Sequence, residues 1–317
     1  MAPFKSTLAR SANKLLSVFK QPDLDLRGQK QTSRKEGFSA SGGTITTYGN
    51  YQVHTFLTSG TFSIDALGSA EVLMDILVVG GGGAGGSGTH SSYEAGGGGA
   101  GGMRVFPAHP VTSAGSHAVT VGDGGSANIA YANVMGNFSQ VAFPSPLRAE
   151  GGGAGGQHDI NGSGWGGSGG GCIRGGTPGG ENRVAGPGWQ GNPPVPSSVP
   201  SQGNAGGNGL NQSANSAGGG GGGAGGAGGG YKGSNSGGDG GAGLQNDYRT
   251  GSNQFYAAGG GGCGFSQTTG PVGGSSIGGP GGEGGAGAVN TGSGGGGVGG
   301  GTGGAGGPGI VVIRVQI

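Results

Sequence analysis

The sequence predicts a mainly β protein: a small β domain plus a packed slab of polyglycine/polyproline-II helices, with an amphipathic α-helix at the N-terminus. Three observations carry that expectation. Glycine supplies 94 of the 317 residues, so much of the chain has no side chain to pack. A large part of this glycine falls into X-Gly-Gly triplets, and a period of three is that of a polyproline-II helix. Short runs of β-branched and aromatic residues flank the glycine block on both sides.

Residues 1–36 are poor in glycine and carry eight basic groups against three acidic ones, a local charge of +5, while the rest of the chain sums to −4. Leu8, Ala12, Leu15, Leu16 and Phe19 repeat at helical spacing, with Arg10, Lys14 and Lys20 off that face. Ser6 or Thr7 can cap this helix and Pro22 ends it, leaving a polar arm to Glu36. Such a helix has no core of its own, so it is expected to dock on another surface. The same features also fit a transit peptide or a membrane-surface helix.

Residues 37–150 are expected to form a β-rich base domain. Tyr51–Phe56 alternates, residues 61–64 follow a Ser-Gly turn, and Val72–Val79 is an apolar run broken by Asp75. Further strands are expected at 103–106, 117–121 and 139–143. Residues 310–317 close the chain with the clearest strand, whose natural partner is the sheet of the base domain.

Residues 151–309 hold most of the glycine. Their phase is ordered: Trp165-Gly-Gly-Ser168, Ser236-Gly-Gly-Asp239-Gly-Gly-Ala242, Ile277-Gly-Gly-Pro280-Gly-Gly-Glu283-Gly-Gly-Ala286 and Thr302-Gly-Gly-Ala305-Gly-Gly-Pro308 each keep a frame. Collagen is excluded because the frame resets every few triplets. In a three-fold helix X-Gly-Gly leaves two bare edges and one ridge of side chains. Bare edges can abut, so neighbouring backbones can satisfy each other's N–H and C=O groups in place of a hydrophobic core. All-glycine runs such as 218–223 and 294–297 suit the centre of the slab. At about 3.1 Å per residue, residues 277–289 would span roughly 37 Å as one rod.

Chemistry-bearing motifs are few. Gly80, Gly82 and Gly85 match a dinucleotide turn, but so glycine-rich a chain matches by chance, and the adjoining Ser87-Gly-Thr-His-Ser-Ser92 cannot form the helix such a site needs. The five histidines show no metal-ligand spacing and no nucleophile elbow is present. No enzyme activity, cofactor or metal is expected, and the glycine block has no basic stripe for nucleic acid. Cys172 and Cys263 read as free thiols, with a single bridge between them also open. The receptor-binding candidates are the aromatics of glycine-poor loops: Trp189, Tyr248 with Arg249, Phe255 and Tyr256. Rigid aromatics beside amides and arginine suit recognition, while capping of the slab ends is the alternative.

Phe62-Ser-Ile64, Asp75-Ile-Leu-Val-Val-Gly-Gly-Gly-Gly-Ala-Gly-Gly86, Val119-Thr-Val-Gly-Asp-Gly-Gly125 and Gly-Gly-Pro308-Gly-Ile-Val-Val-Ile-Arg314 together resemble the glycine-rich proteins of tailed-phage fibres, including tail-fibre-tip adhesins with polyglycine-II sandwiches. The likeness covers roughly residues 38–317. The leader, with Thr7-Leu-Ala-Arg and Val18-Phe-Lys-Gln-Pro-Asp-Leu-Asp-Leu-Arg27, looks like those of cyanophage structural proteins. The resemblance implies a virion protein assembled in the host cytoplasm. Its helix would bind other virion proteins and its loops a host surface receptor, protein or glycan. A homotrimer is one assembly open to it. In place of the adhesins' aromatic-rich attachment domain, this chain has the basic helix and arm. A capsid-decorating fibre and a cell-surface matrix protein are the alternative readings.

Overall fold

The computed structural model describes residues 37–68, 71–88, 94–127, 134–157, 164–173, 202–210, 216–233, 236–264 and 270–317. The expected N-terminal helix, with Leu8, Ala12, Leu15, Leu16 and Phe19, lies outside them, as does Trp189. The described residues are mainly β, with no α-helix among them.

The strands are β1 (Phe38–Ser41), β2 (Thr44–Tyr48), β3 (Tyr51–Phe56), β4 (Gly60–Leu67), β5 (Val72–Val79), β6 (Met103–Val111), β7 (Gly115–Thr120), β8 (Ser139–Val141), β9 (Leu147–Ala149), β10 (Leu244–Asn246), β11 (Gln254–Tyr256) and β12 (Ile310–Gln316). Two five-stranded antiparallel sheets result, β1-β4-β7-β8-β9 and β2-β3-β12-β5-β6. The C-terminal strand β12 is central, pairing Ile313 with His54 of β3 on one side and with Ile76 of β5 on the other. Its apolar content suits that place, since both of its faces are covered.

Alternation along the strands makes two cores. Phe62 and Ile64 of β4, Met74, Ile76 and Val78 of β5, and Val311, Ile313 and Val315 of β12 fill the space between the sheets. Each such side chain contributes about 1.5–3 kcal/mol by leaving water. The opposite residues, Leu77, Val79, Ile310 and Val312, form a second cluster on the outer face of the β12 sheet. Asp75 breaks the apolar run at a register shift between β5 and β6. There Ala108, at φ 50°, turns its N–H onto the Asp75 carboxylate at 2.9 Å.

The glycine runs are built differently. Gly80, Gly83 and Gly86 donate to the carbonyls of Gly102, Gly99 and Gly96; Gly81 and Ala84 donate to Asn137 and Val134; Gly82 and Gly85 donate to Gly307 and Gly304; all lie at 2.8–3.0 Å. Successive residues therefore serve three neighbours in rotation. Residues 96–102 behave alike, donating toward 150–156, 219–222 and 292–295 while accepting from 80–86, 168–171 and Gly260, so that six chain segments surround them. Residues 218–223 are likewise enclosed, bonded to 260–263, 169–172, 226–229, 238–241, 97–100 and Gly207. The runs come from both sides of position 151, because 80–86 and 96–102 belong to the same backbone network as 218–223 and 294–297.

At many positions of this lattice glycine is required for want of space, although Ala84 and Ala100 show that single methyls fit within the same runs. A Cβ on Gly221 would overlap the Gly98 carbonyl oxygen, on Gly97 that of Gly260, and on Gly296 that of Pro280. In glycine the same direction carries a Cα–H pointed at the oxygen, the weak contact that accompanies close backbone packing. The X residues behave as a ridge: Pro280, Glu283 and Ala286 are exposed while Gly278, Gly279, Gly281 and Gly282 are buried. Residues 277–289 are not one straight rod, however. Positive φ at Gly282 (80°) and Gly284 (65°) turns the chain back at 281–284, so the expected 37 Å span is replaced by two short passes.

Candidate functional site

Three places combine polar, aromatic or ionisable side chains. The first is the segment that holds four of the five receptor-binding candidates. β10 and β11 pair Leu244 with Tyr256, and the chain between them lies against the outer face of the β12 sheet. Tyr248 and Tyr256 are buried there with Val53, Leu77, Val79, Ile310 and Val312.

Arg314 organises this contact. Its side chain, 12% exposed, donates from Nε to Asp75 at 3.0 Å and from Nη1 to the Tyr48 hydroxyl at 2.8 Å, and reaches Asp247 at 3.5 Å. The guanidinium also lies between two rings, 4.5 Å from the Tyr51 centroid and 3.9 Å from that of Tyr248. Burial works against its charge, but the hydrogen bonds to Tyr48 and Asp75 outweigh it and hold the pKa above the ordinary arginine value. The Tyr48 hydroxyl donates onward to the Tyr248 carbonyl at 3.1 Å. One charged side chain thus joins β12, β5, β2 and the 244–257 segment.

Of the receptor-binding candidates, Tyr248 and Tyr256 face the sheet and close a seam between it and the 244–257 segment. Burial raises the pKa of both phenols. Arg249 is half-buried and bonds the Tyr256 side chain. Phe255, 40% exposed, is the one of the four with its side chain at the surface. In sequence an aromatic in a glycine-poor loop looks the same whether it packs inward or outward; the missing clue was the lone Asp75 in an apolar run, matched by Arg314 in the other.

The second place is the end of the lattice remote from the sandwich. Residues 80–86 leave β5 and residues 96–102 return to β6, so the chain reverses about seven residues out, roughly 22 Å at the polyproline-II rise. Bridges at this level join Ser87 to Val298, Ala95 to Cys263, and Ala217 to both Leu210 and Gly264. Glu94, Gln157, Ser87, Cys172 and Cys263 are buried in this layer. Both cysteines are buried, and burial raises the Cys263 pKa, which makes its thiol a poor nucleophile.

The third is a groove of about 260 Å³ lined by His109, Pro110, His117, Phe143, Pro144 and Ser145 among others. His109 stacks on Phe143 with centroids 5.2 Å apart, and His117 meets the same ring edge-on at 4.6 Å. Burial lowers the His109 pKa, keeping it neutral. Among the described residues no group of three His, Cys, Asp or Glu is placed to hold a metal ion. The amides of Gly80, Gly82 and Gly85 all donate to lattice carbonyls, so none is open to a phosphate.

A family model described as a glycine-rich domain matches residues 56–316, and the chain belongs to that family. No curated protein sequence matches it.

Proposed function

We propose that this glycine-rich domain protein is a non-enzymatic structural protein of a tailed-phage virion, a tail fibre or tail-associated adhesin that holds recognition loops away from the particle. We further propose that its backbone lattice is a packed set of polyglycine-II helices. The observation that carries the reading is the rotation of hydrogen-bond partners every third residue along enclosed glycine runs. That pattern is expected of three-residue helices packed side by side and makes a stiff spacer with almost no side chains.

Phe38, paired with Leu67, lies at the end of β4 away from the lattice, while the bridges of Ser87, Ala95 and Ala217 lie at the lattice's far end. The reading gives particle docking to the basic leader and host contact to the glycine-poor loops. Trp189, within residues 181–201, is the remaining aromatic candidate for receptor contact, with Phe255 as an exposed neighbour of the seam.

The test replaces residues 181–201 by a glycine-serine segment of equal length in the virion and measures host adsorption, with thermal stability as the folding control. A large fall in adsorption with unchanged melting supports the adhesin reading. Unchanged adsorption contradicts it, and gold-labelled antibody over the head would make the protein a capsid fibre.

A further inference from the structure

The four sheet edges of the sandwich are not equally protected. β6 carries Pro107 and Pro110 and the irregular Ala108, features that cannot template another strand. β1 has four residues and a register shift between Ser39 and Ala40. β9 has three residues and includes the charged Arg148. β2, at the edge of the other sheet, has none of these devices. Its sequence Thr44-Ile-Thr-Thr-Tyr48 has no charge, no proline and no glycine, and its ladder with β3 runs without a shift from Thr44↔Thr55 to Tyr48↔Tyr51.

This edge is also open. Thr44, Ile45, Thr46 and Thr47 are exposed, and Ile45 keeps 46% of its surface. Among the described residues no backbone hydrogen bond outside the β2–β3 ladder involves residues 44–48. A regular, β-branched, uncharged edge is the kind that pairs with another strand.

We propose that β2 is a self-association edge, pairing antiparallel with β2 of a second copy about a two-fold axis at Thr46. The sequence fits its own reverse: Thr46 meets Thr46, Ile45 meets Thr47, and Thr44 meets Tyr48. Each is an uncharged pair of residues with high strand preference, and none places like charges opposite each other. A two-fold pairing keeps the apolar faces of both sheets on the same side, so two five-stranded sheets become one continuous sheet. The absence of charge in β2 disfavours a basic or acidic partner segment, and its self-complementarity selects a second copy.

The full-length chain is tested by sedimentation equilibrium and by oxidation of variants with one cysteine added to the buried Cys172 and Cys263. The expected parent species is a dimer, twice the 29.6 kDa chain. Thr46→Lys, on an exposed site, should keep the parent's secondary structure by circular dichroism and weaken dimerisation roughly tenfold or more by facing two like charges. Thr46→Cys should form an intermolecular disulfide, because opposed Cα atoms in an antiparallel pair lie about 4.5–5.5 Å apart, within bridging range. Thr44→Cys should not, since its copies would lie roughly 14 Å apart along the strands. A monomeric parent, a trimer, an oligomer indifferent to Thr46→Lys, or bridging at position 44 in place of 46 would each overturn the proposal.

Discussion

Phe62 in the sandwich and Gly221 in the lattice are both buried, and they are kept from water by opposite means. Phe62 fills space: it meets His54 at 5.1 Å and Phe56 at 6.5 Å, edge to face, inside an apolar cluster. Gly221 leaves space: its N–H donates to Gly260, its carbonyl accepts from Gly241, and its missing side chain lets the Gly98 carbonyl approach. In the sandwich, burial of apolar area offsets chain entropy. In the lattice, each hydrogen bond contributes about 0.5–1.5 kcal/mol net against the high entropy of glycine, so order depends on many runs enclosing one another. Tolerance to substitution is therefore inverted between the two regions.

The sharpest way to break the contrast is a side chain in the lattice interior. Gly221→Val should lose about 4 kcal/mol or more, because backbone on the neighbouring run would have to move. Ala286→Ser on the exposed ridge should change stability by less than about 0.5 kcal/mol. Equal melting temperatures for these two variants would contradict backbone-on-backbone packing. In the sandwich the order reverses: Phe62→Ala should cost about 3–5 kcal/mol by opening a cavity.

The seam between the regions can be tested on its own. Arg314→Met keeps the stem but leaves Asp75 with the Ala108 amide as its remaining partner, at an expected cost of about 2–3 kcal/mol. Limited proteolysis at Arg249 should accelerate with it, since the 244–257 segment loses its clamp. Proteolysis at the parent rate would show that the aromatic packing alone holds the segment.

The smallest effect is on pH dependence. His54 is buried in the sandwich core, its Nδ1–H donates to Gly42 at 2.8 Å, and its Nε2 has no partner among the described residues. Burial lowers its pKa below the ordinary 6.5, with the Gly42 bond opposing in part. The unfolded chain then binds a proton at a pH where the folded chain does not, so stability is full above 6.5 and falls as pH drops toward the folded value. Melting curves between pH 7.5 and pH 5 should show a shallower slope for His54→Leu than for the parent. An unchanged slope would assign the effect to other groups, His109 first.

The sandwich strands were legible because their signal is local. Alternation at Tyr51–Phe56 and the apolar runs Val72–Val79 and Ile310–Gln316 identify β3, β5 and β12 without knowledge of their partners. β1, β2, β9, β10 and β11 were missed, since three to five residues of mixed polarity carry little pattern. The exposed positions of Pro280, Glu283 and Ala286 follow from the X-Gly-Gly phase. The central place of residues 80–86 and 96–102 does not, because a glycine run looks the same as linker or as lattice until its distant partners are known. For the same reason Tyr248 and Tyr256 read as surface aromatics, when their burial depends on Arg314 at the other end of the chain.

Hydrogen–deuterium exchange of the full chain, followed by peptide mass spectrometry, tests the central claim most directly. If glycine runs are held by enclosed backbone bonds, amides of residues 96–102, 218–223 and 294–297 should exchange as slowly as those of β5 and β12. Exchange in those runs at the rate of an unstructured glycine linker, while β5 and β12 remain protected, would contradict the lattice and leave only the sandwich standing.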